Sequence, residues 1–107
     1  MQDTLQNRLL DAVDAAFDTQ IAFLSELTSH PSIRGQEQSA QDFMAEELTR
    51  RGYELDRWQI DVEDIQHLPG FSPVLGPYDD AVNVVGTHRS KTSKGRSLIL
   101  NGHIDVV

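Results

Sequence analysis

His103 and Asp105 stand two residues apart in Asn101-Gly102-His103-Ile104-Asp105-Val106-Val107, and their types and spacing could do chemistry together. They follow an apolar run, Leu98-Ile99-Leu100, with the strength and length of a buried strand. Side chains at i and i+2 of an extended strand point the same way. The spacing therefore brings both residues out at the strand's C-terminal end, where open α/β sheets hold their ligands. A neutral imidazole is a good zinc ligand, and a neighbouring carboxylate can hold it in the right tautomer. Gly102, directly before the pair, suits a close approach of the backbone to a neighbour. A hydrogen-bonded strand end has the same signature. Zinc takes three or four protein ligands, so one imidazole is only the opening piece of a metal site.

The other candidates are weaker. His30, His67 and His88 fall in expected loops and read as solvated histidines. Of the three, only His67 is retained as a minor candidate for substrate contact. Arg89, Lys91, Lys94 and Arg96 form a basic cluster without interleaved aromatics, which reads as a solvated turn rather than a nucleic-acid patch. Gly35 and Gly95 belong to no phosphate-binding loop pattern. There is no G-x-S-x-G elbow to support a serine nucleophile.

Bulk properties narrow the classes. A chain of 107 residues can make one domain, and at this size it buries roughly 60–70% of its unfolded surface. Its formal charge of -8, from 9 Lys+Arg against 17 Asp+Glu, argues against a general nucleic-acid or anionic-membrane binder. Without cysteine there is no disulfide framework and no thiolate site, so any zinc would take histidine and carboxylate ligands. The N-terminus has neither a basic n-region nor an apolar h-region, and no 18-residue apolar stretch occurs, so a cytoplasmic location is expected. Met1 reads as a natural start. Val107 does not read as a natural end, because chain ends usually sit in solvent.

The elements that must position the pair follow from periodicity. Leu5, Leu9, Val13, Phe17, Ile21 and Leu24 predict one long helix over about residues 4–28, capped by Asp3 or Thr4. His30 precedes Pro31 and so leaves the helical region, and residues 31–35 are a connector. Ala40, Phe43, Met44 and Leu48 predict a second helix over about 36–51. Glu37 suits its positive end, Arg50 and Arg51 its negative end, and Gly52 its C′ position. Tyr53 to Val62 reads as a strand whose apolar phase switches between Leu55 and Trp58, which suggests a bulge near Asp56-Arg57. Glu63 to Asp80 is a long Pro-, Gly- and Asp-rich loop. Strands over Ala81–Thr87 and Ser97–Asn101 flank a hairpin-like turn containing Lys94-Gly95. The expected class is α/β, two helices and then three strands.

The segment Ser97 to Val107 resembles the first metal motif of the two-zinc amidohydrolases related to acetylornithine deacetylase. Succinyl-diaminopimelate desuccinylase, aminoacylase and glutamate carboxypeptidase belong to the same group. His30-Pro31-Ser32-Ile33-Arg34-Gly35-Gln36-Glu37 is similar to the family's connector between its first two helices. Asn83-Val84-Val85-Gly86 is similar to the strand before the motif strand. The terminal motif is fairly specific, and the other two are weak alone.

The resemblance implies that His103 ligates one zinc and that Asp105 orients its imidazole from behind. It implies two zincs per active site, with cobalt as an alternative metal, and a small N-acyl amino acid or peptide as substrate. It implies an α/β/α zinc-peptidase-like catalytic domain interrupted by a lid domain that often forms a homodimer. Residues 1–107 then match the N-terminal portion of the catalytic domain, with the lid, the bridging aspartate, the glutamate general base and the other ligands beyond Val107. The 107 residues alone are expected to be inactive. Acetylornithine deacetylase-like activity is the first choice, and a desuccinylase, a carboxypeptidase or a deformylase of a heterocyclic amine fits equally well. The rival expectation is a self-contained, non-catalytic α/β module that binds a partner through its long loop.

Overall fold

The computed structural model describes residues 4–73, 75–76, 81–92 and 94–107. Asp3, Val74, residues 77–80 and Ser93 fall outside the described residues, and with them one proposed cap and parts of the long loop and the hairpin-like turn. The chain is mixed α/β and divides into two units, Met1–His30 and Pro31–Val107.

The first unit is two helices, α1 (Leu5–Ala15) and α2 (Phe17–Ser29), in place of the single long helix expected over 4–28. Thr4 caps α1, its Oγ1 accepting from the Asn7 amide at 3.2 Å. The break is one residue wide. The Ala16 amide is shared between the Ala12 and Val13 carbonyls at 3.1 and 3.2 Å, which tightens the turn there. The Gln20 side chain adds a donor to the Val13 carbonyl at 3.4 Å. A shared amide and a side-chain donor leave no trace in apolar periodicity, so the stripe runs on through the break. As expected, α2 ends at His30, which is extended ahead of Pro31 (φ -78, ψ 126).

The second unit sets helix α3 (Gln38–Arg50) against strands β1 (Glu54–Gln59) and β2 (Val82–Thr87). Helix α3 closes at Gly52 as the sequence indicates. Gly52 takes φ +81, its amide donates to the Thr49 carbonyl at 2.9 Å, and the Tyr53 amide donates to the Leu48 carbonyl at 3.1 Å. These are the two bonds of a Schellman motif. The strands pair antiparallel from Glu54↔Thr87 to Gln59↔Val82 without interruption. No bulge exists at Asp56-Arg57. Leu55 and Arg57 share the strand face turned to α3, where Arg57 pairs with Asp42. Trp58 takes the opposite face and stays 43% exposed. The phase switch in the sequence records apolar residues on two faces, not an extra residue in the ladder.

Ala40 and Ala45 of α3 are buried against the sheet, and Gln41 Nε2 donates to the Val82 carbonyl at 2.9 Å. The close backbone approach in this unit falls at Gly86. A Cβ there would lie 2.9 Å from Leu48 Cδ2 and 3.2 Å from Tyr53 Cδ1. Around Gly102, where close approach was expected, a Cβ would meet nothing within 4 Å.

Val62 is not strand. It opens a short helix, α4 (Val62–Ile65), capped by Asp61, whose Oδ1 accepts from the Glu63 amide at 2.9 Å. The signal was present as an Asp cap followed by acidic residues at the positive end of the dipole. The third strand, expected over Ser97–Asn101, is absent among the described residues. Leu98, Ile99 and Leu100 are 82–87% exposed. An apolar run becomes strand only where a ladder partner meets it, and none does here. No helix among the described residues is long and apolar enough to cross a membrane.

Candidate functional site

Chain contacts near the C-terminus are made with the connector. The Ser32 hydroxyl donates to the Ile104 carbonyl at 2.8 Å, and the Val106 amide donates to the Ser32 carbonyl at 2.7 Å. Ile33 and Val106 form an isolated parallel bridge. Ser32 is 5% exposed, the one polar residue buried among those described. The connector holds its shape through a tight turn, with the Gln36 amide on the Ile33 carbonyl at 2.8 Å and Gly35 at φ +85 in the third position. A turn of type II needs a positive φ at that place.

This local structure carries the sequence-predicted pair. His103 Nδ1 lies 3.0 Å from Asp105 Oδ1 and 2.9 Å from the Asp105 main-chain oxygen. The main-chain oxygen can only accept, so Nδ1 is the nitrogen that bears hydrogen. The neutral ring then offers the lone pair of Nε2. The His103 side chain is 83% exposed and that of Asp105 33%, so the imidazole faces solvent over a partly covered carboxylate. The expected juxtaposition of the two side chains is present. Its expected location is not, because the pair hangs on the bridge to Ser32 and Ile33 rather than on the end of a sheet strand.

No cluster of three or more His, Cys, Asp or Glu that could hold a metal occurs among the described residues. Among the described residues, His67 and His88 join no such group with His103. His30 is half-buried rather than solvated, and His67 is exposed after α4. His88 is exposed and meets the Tyr53 ring edge-on at 6.0 Å between centroids. In the basic cluster, Arg89 Nε donates to Glu54 Oε2 at 2.8 Å, a bond that holds the Glu54 carboxyl below its ordinary range. Lys91, Lys94 and Arg96 are exposed.

Ser32 is the residue that sequence reasoning passed over. A lone serine in a connector has no local signature, and its partner lies 72 residues away. No family model matches this chain, and a search of curated proteins returns no relative.

Proposed function

We propose that His103 is a zinc ligand of a two-zinc amidohydrolase that cleaves the amide bond of N-acyl amino acids or small peptides, and that Asp105 orients its ring. The observation behind this reading is the bond from His103 Nδ1 to Asp105 Oδ1, which turns the free lone pair of Nε2 to solvent. Metal-ligating histidines usually carry such a carboxylate on their second nitrogen, which sets the tautomer and raises ligand basicity. The donor set fits one corner of a zinc site, with imidazole as the ligand and no thiolate required. When bound, two zincs would supply Lewis-acid polarisation of the scissile carbonyl and a water acidic enough to act near neutral pH.

One imidazole cannot hold a dinuclear centre, so the remaining ligands and the general base would come from polypeptide outside these 107 residues. Residues 1–107 are then the first part of a zinc-peptidase-like α/β/α domain. Cobalt would serve in place of zinc, the substrate would be small, and nucleic acid and membrane would play no part. Acetylornithine deacetylase-like activity in the cytoplasm is the specific form we favour.

The test uses the polypeptide encoded by the whole reading frame, with zinc content and hydrolysis of N-acyl amino acids as readouts. His103→Ala is expected to lose both. Asp105→Asn is expected to keep more zinc while activity falls roughly 10–100-fold. A wild-type protein with neither zinc nor amide hydrolysis, or a reading frame that stops at Val107, would overturn the proposal.

A further inference from the structure

We infer that Ser32 is a positioning residue that fixes the His103–Asp105 pair, a role that no feature of the sequence assigns to it. The Ile104 carbonyl belongs to the peptide entering Asp105, and the Val106 amide to the peptide leaving it. Ser32 holds both, the first through its hydroxyl at 2.8 Å and the second through its carbonyl at 2.7 Å. A trans peptide is planar, with N–H and C=O opposed. Directing the Val106 N–H toward Ser32 therefore turns the Asp105 carbonyl the other way, and this oxygen lies 2.9 Å from His103 Nδ1. With both flanking peptides fixed, the backbone dihedrals of Asp105 are fixed too, and its carboxylate is delivered to the same nitrogen at 3.0 Å.

Burial gives the clamp its strength. Ser32 is 5% exposed while His103 is 83% exposed, so the ring itself has little packing to hold it. The Ile104 carbonyl is half-buried, so water only partly replaces a lost donor there. An exposed imidazole and a partly covered carboxylate on an unheld backbone would spend much of their time apart. The bonds to Ser32 are what make the contact a standing one. The inference rests on the zinc-ligand reading only for its consequence in catalysis, because the geometry of the pair is set by contacts among the chain's own residues.

The experiment reads the tautomer of His103 directly. The whole encoded polypeptide is labelled with 15N-histidine, stripped of metal with a chelator, and observed by long-range 15N–1H correlation at about pH 8.5, above the ordinary histidine range. The His103 signal is assigned by its loss in His103→Gln. The wild type is expected to hold the Nδ1–H form. Ser32→Ala is expected to shift the ratio about fivefold toward the Nε2–H form that a free neutral imidazole prefers, the worth of one net hydrogen bond. Ser32→Thr keeps the hydroxyl and is expected to restore the wild-type ratio. Ala45→Gly loosens α3 without touching the clamp and is expected to leave the ratio unchanged. A Ser32→Ala spectrum equal to the wild type overturns the inference, as does an equal loss in Ala45→Gly or no recovery in Ser32→Thr. A clamp-dependent tautomer in a protein that never takes up zinc would sustain the inference and sink the functional reading, so the two fail separately.

Discussion

A carboxylate two residues beyond a histidine reaches its imidazole only if the backbone between them is held, and here the holding group is a buried serine far away in sequence. Glu47 shows the opposite case, an acid whose partners lie one turn along the same helix. Its carboxylate accepts from Arg50 Nε at 2.9 Å and also bonds Arg51. The Arg50 hydrogen bond, with Arg51 and the charges of both guanidiniums adding to it, holds the Glu47 carboxyl below its ordinary value. A depressed pKa in the folded state stabilises the fold above the ordinary carboxylate range, and that contribution disappears as pH falls through the lowered value. The last turn of α3 is therefore expected to loosen as pH falls below the ordinary carboxylate range. The readout is faster hydrogen exchange at the Gly52 and Tyr53 amides, corrected for intrinsic rates, with Glu47→Gln removing the pH dependence. Identical pH profiles for the two proteins would refute this assignment.

At the scale of elements, helix ends are decided locally, and the glycine at position 52 illustrates why. Its φ of +81 is open to glycine and costly to other residues. Gly52→Ala is expected to cost about 1 kcal/mol through left-handed strain, seen as faster exchange of the Tyr53 amide. Gly102→Ala is the control. Gly102 has no positive φ, and a Cβ there meets nothing within 4 Å. Its effect is expected to stay within about 0.5 kcal/mol. Comparable losses in both variants would show that the close of α3 does not depend on the left-handed residue. The capping of α1 by Thr4 and of α4 by Asp61 follows the same local logic, since each cap satisfies an amide within three residues of itself.

At the scale of the whole molecule, the described core is small. Ala40 and Ala45 are its buried apolar residues. Leu5, Leu9, Val13, Phe17, Ile21 and Leu24 remain 50–68% exposed, and Leu98, Ile99 and Leu100 more so. Apolar surface on this scale favours association, and an extended apolar segment with unpaired backbone groups is a template for strand pairing. The 107-residue chain by itself is expected to self-associate with rising concentration and to unfold over a broad thermal range. Light scattering coupled to size exclusion checks the first, and calorimetry the second. Lysine at Leu98 and Leu100 is expected to reduce the association. A monodisperse monomer with a sharp transition would sink this expectation and favour a self-contained module.

What the sequence determined by itself was whatever a few neighbouring residues decide. The end of α2 at His30-Pro31, the close of α3 at Gly52 and the two-residue spacing of Asp105 from His103 rest on residues within about six of one another. Tertiary structure decided the rest. Which face Trp58 takes depends on α3 lying against Leu55 and Arg57, so the sequence pattern read as a bulge where the ladder is unbroken. Whether Leu98–Leu100 becomes strand depends on a partner edge that apolarity cannot supply. The pairing of Ser32 and Ile33 with residues 104–106 joins segments some 72 residues apart. A hydroxyl–carbonyl bond over that distance has no periodicity and no spacing rule, and only the fold brings its two ends together.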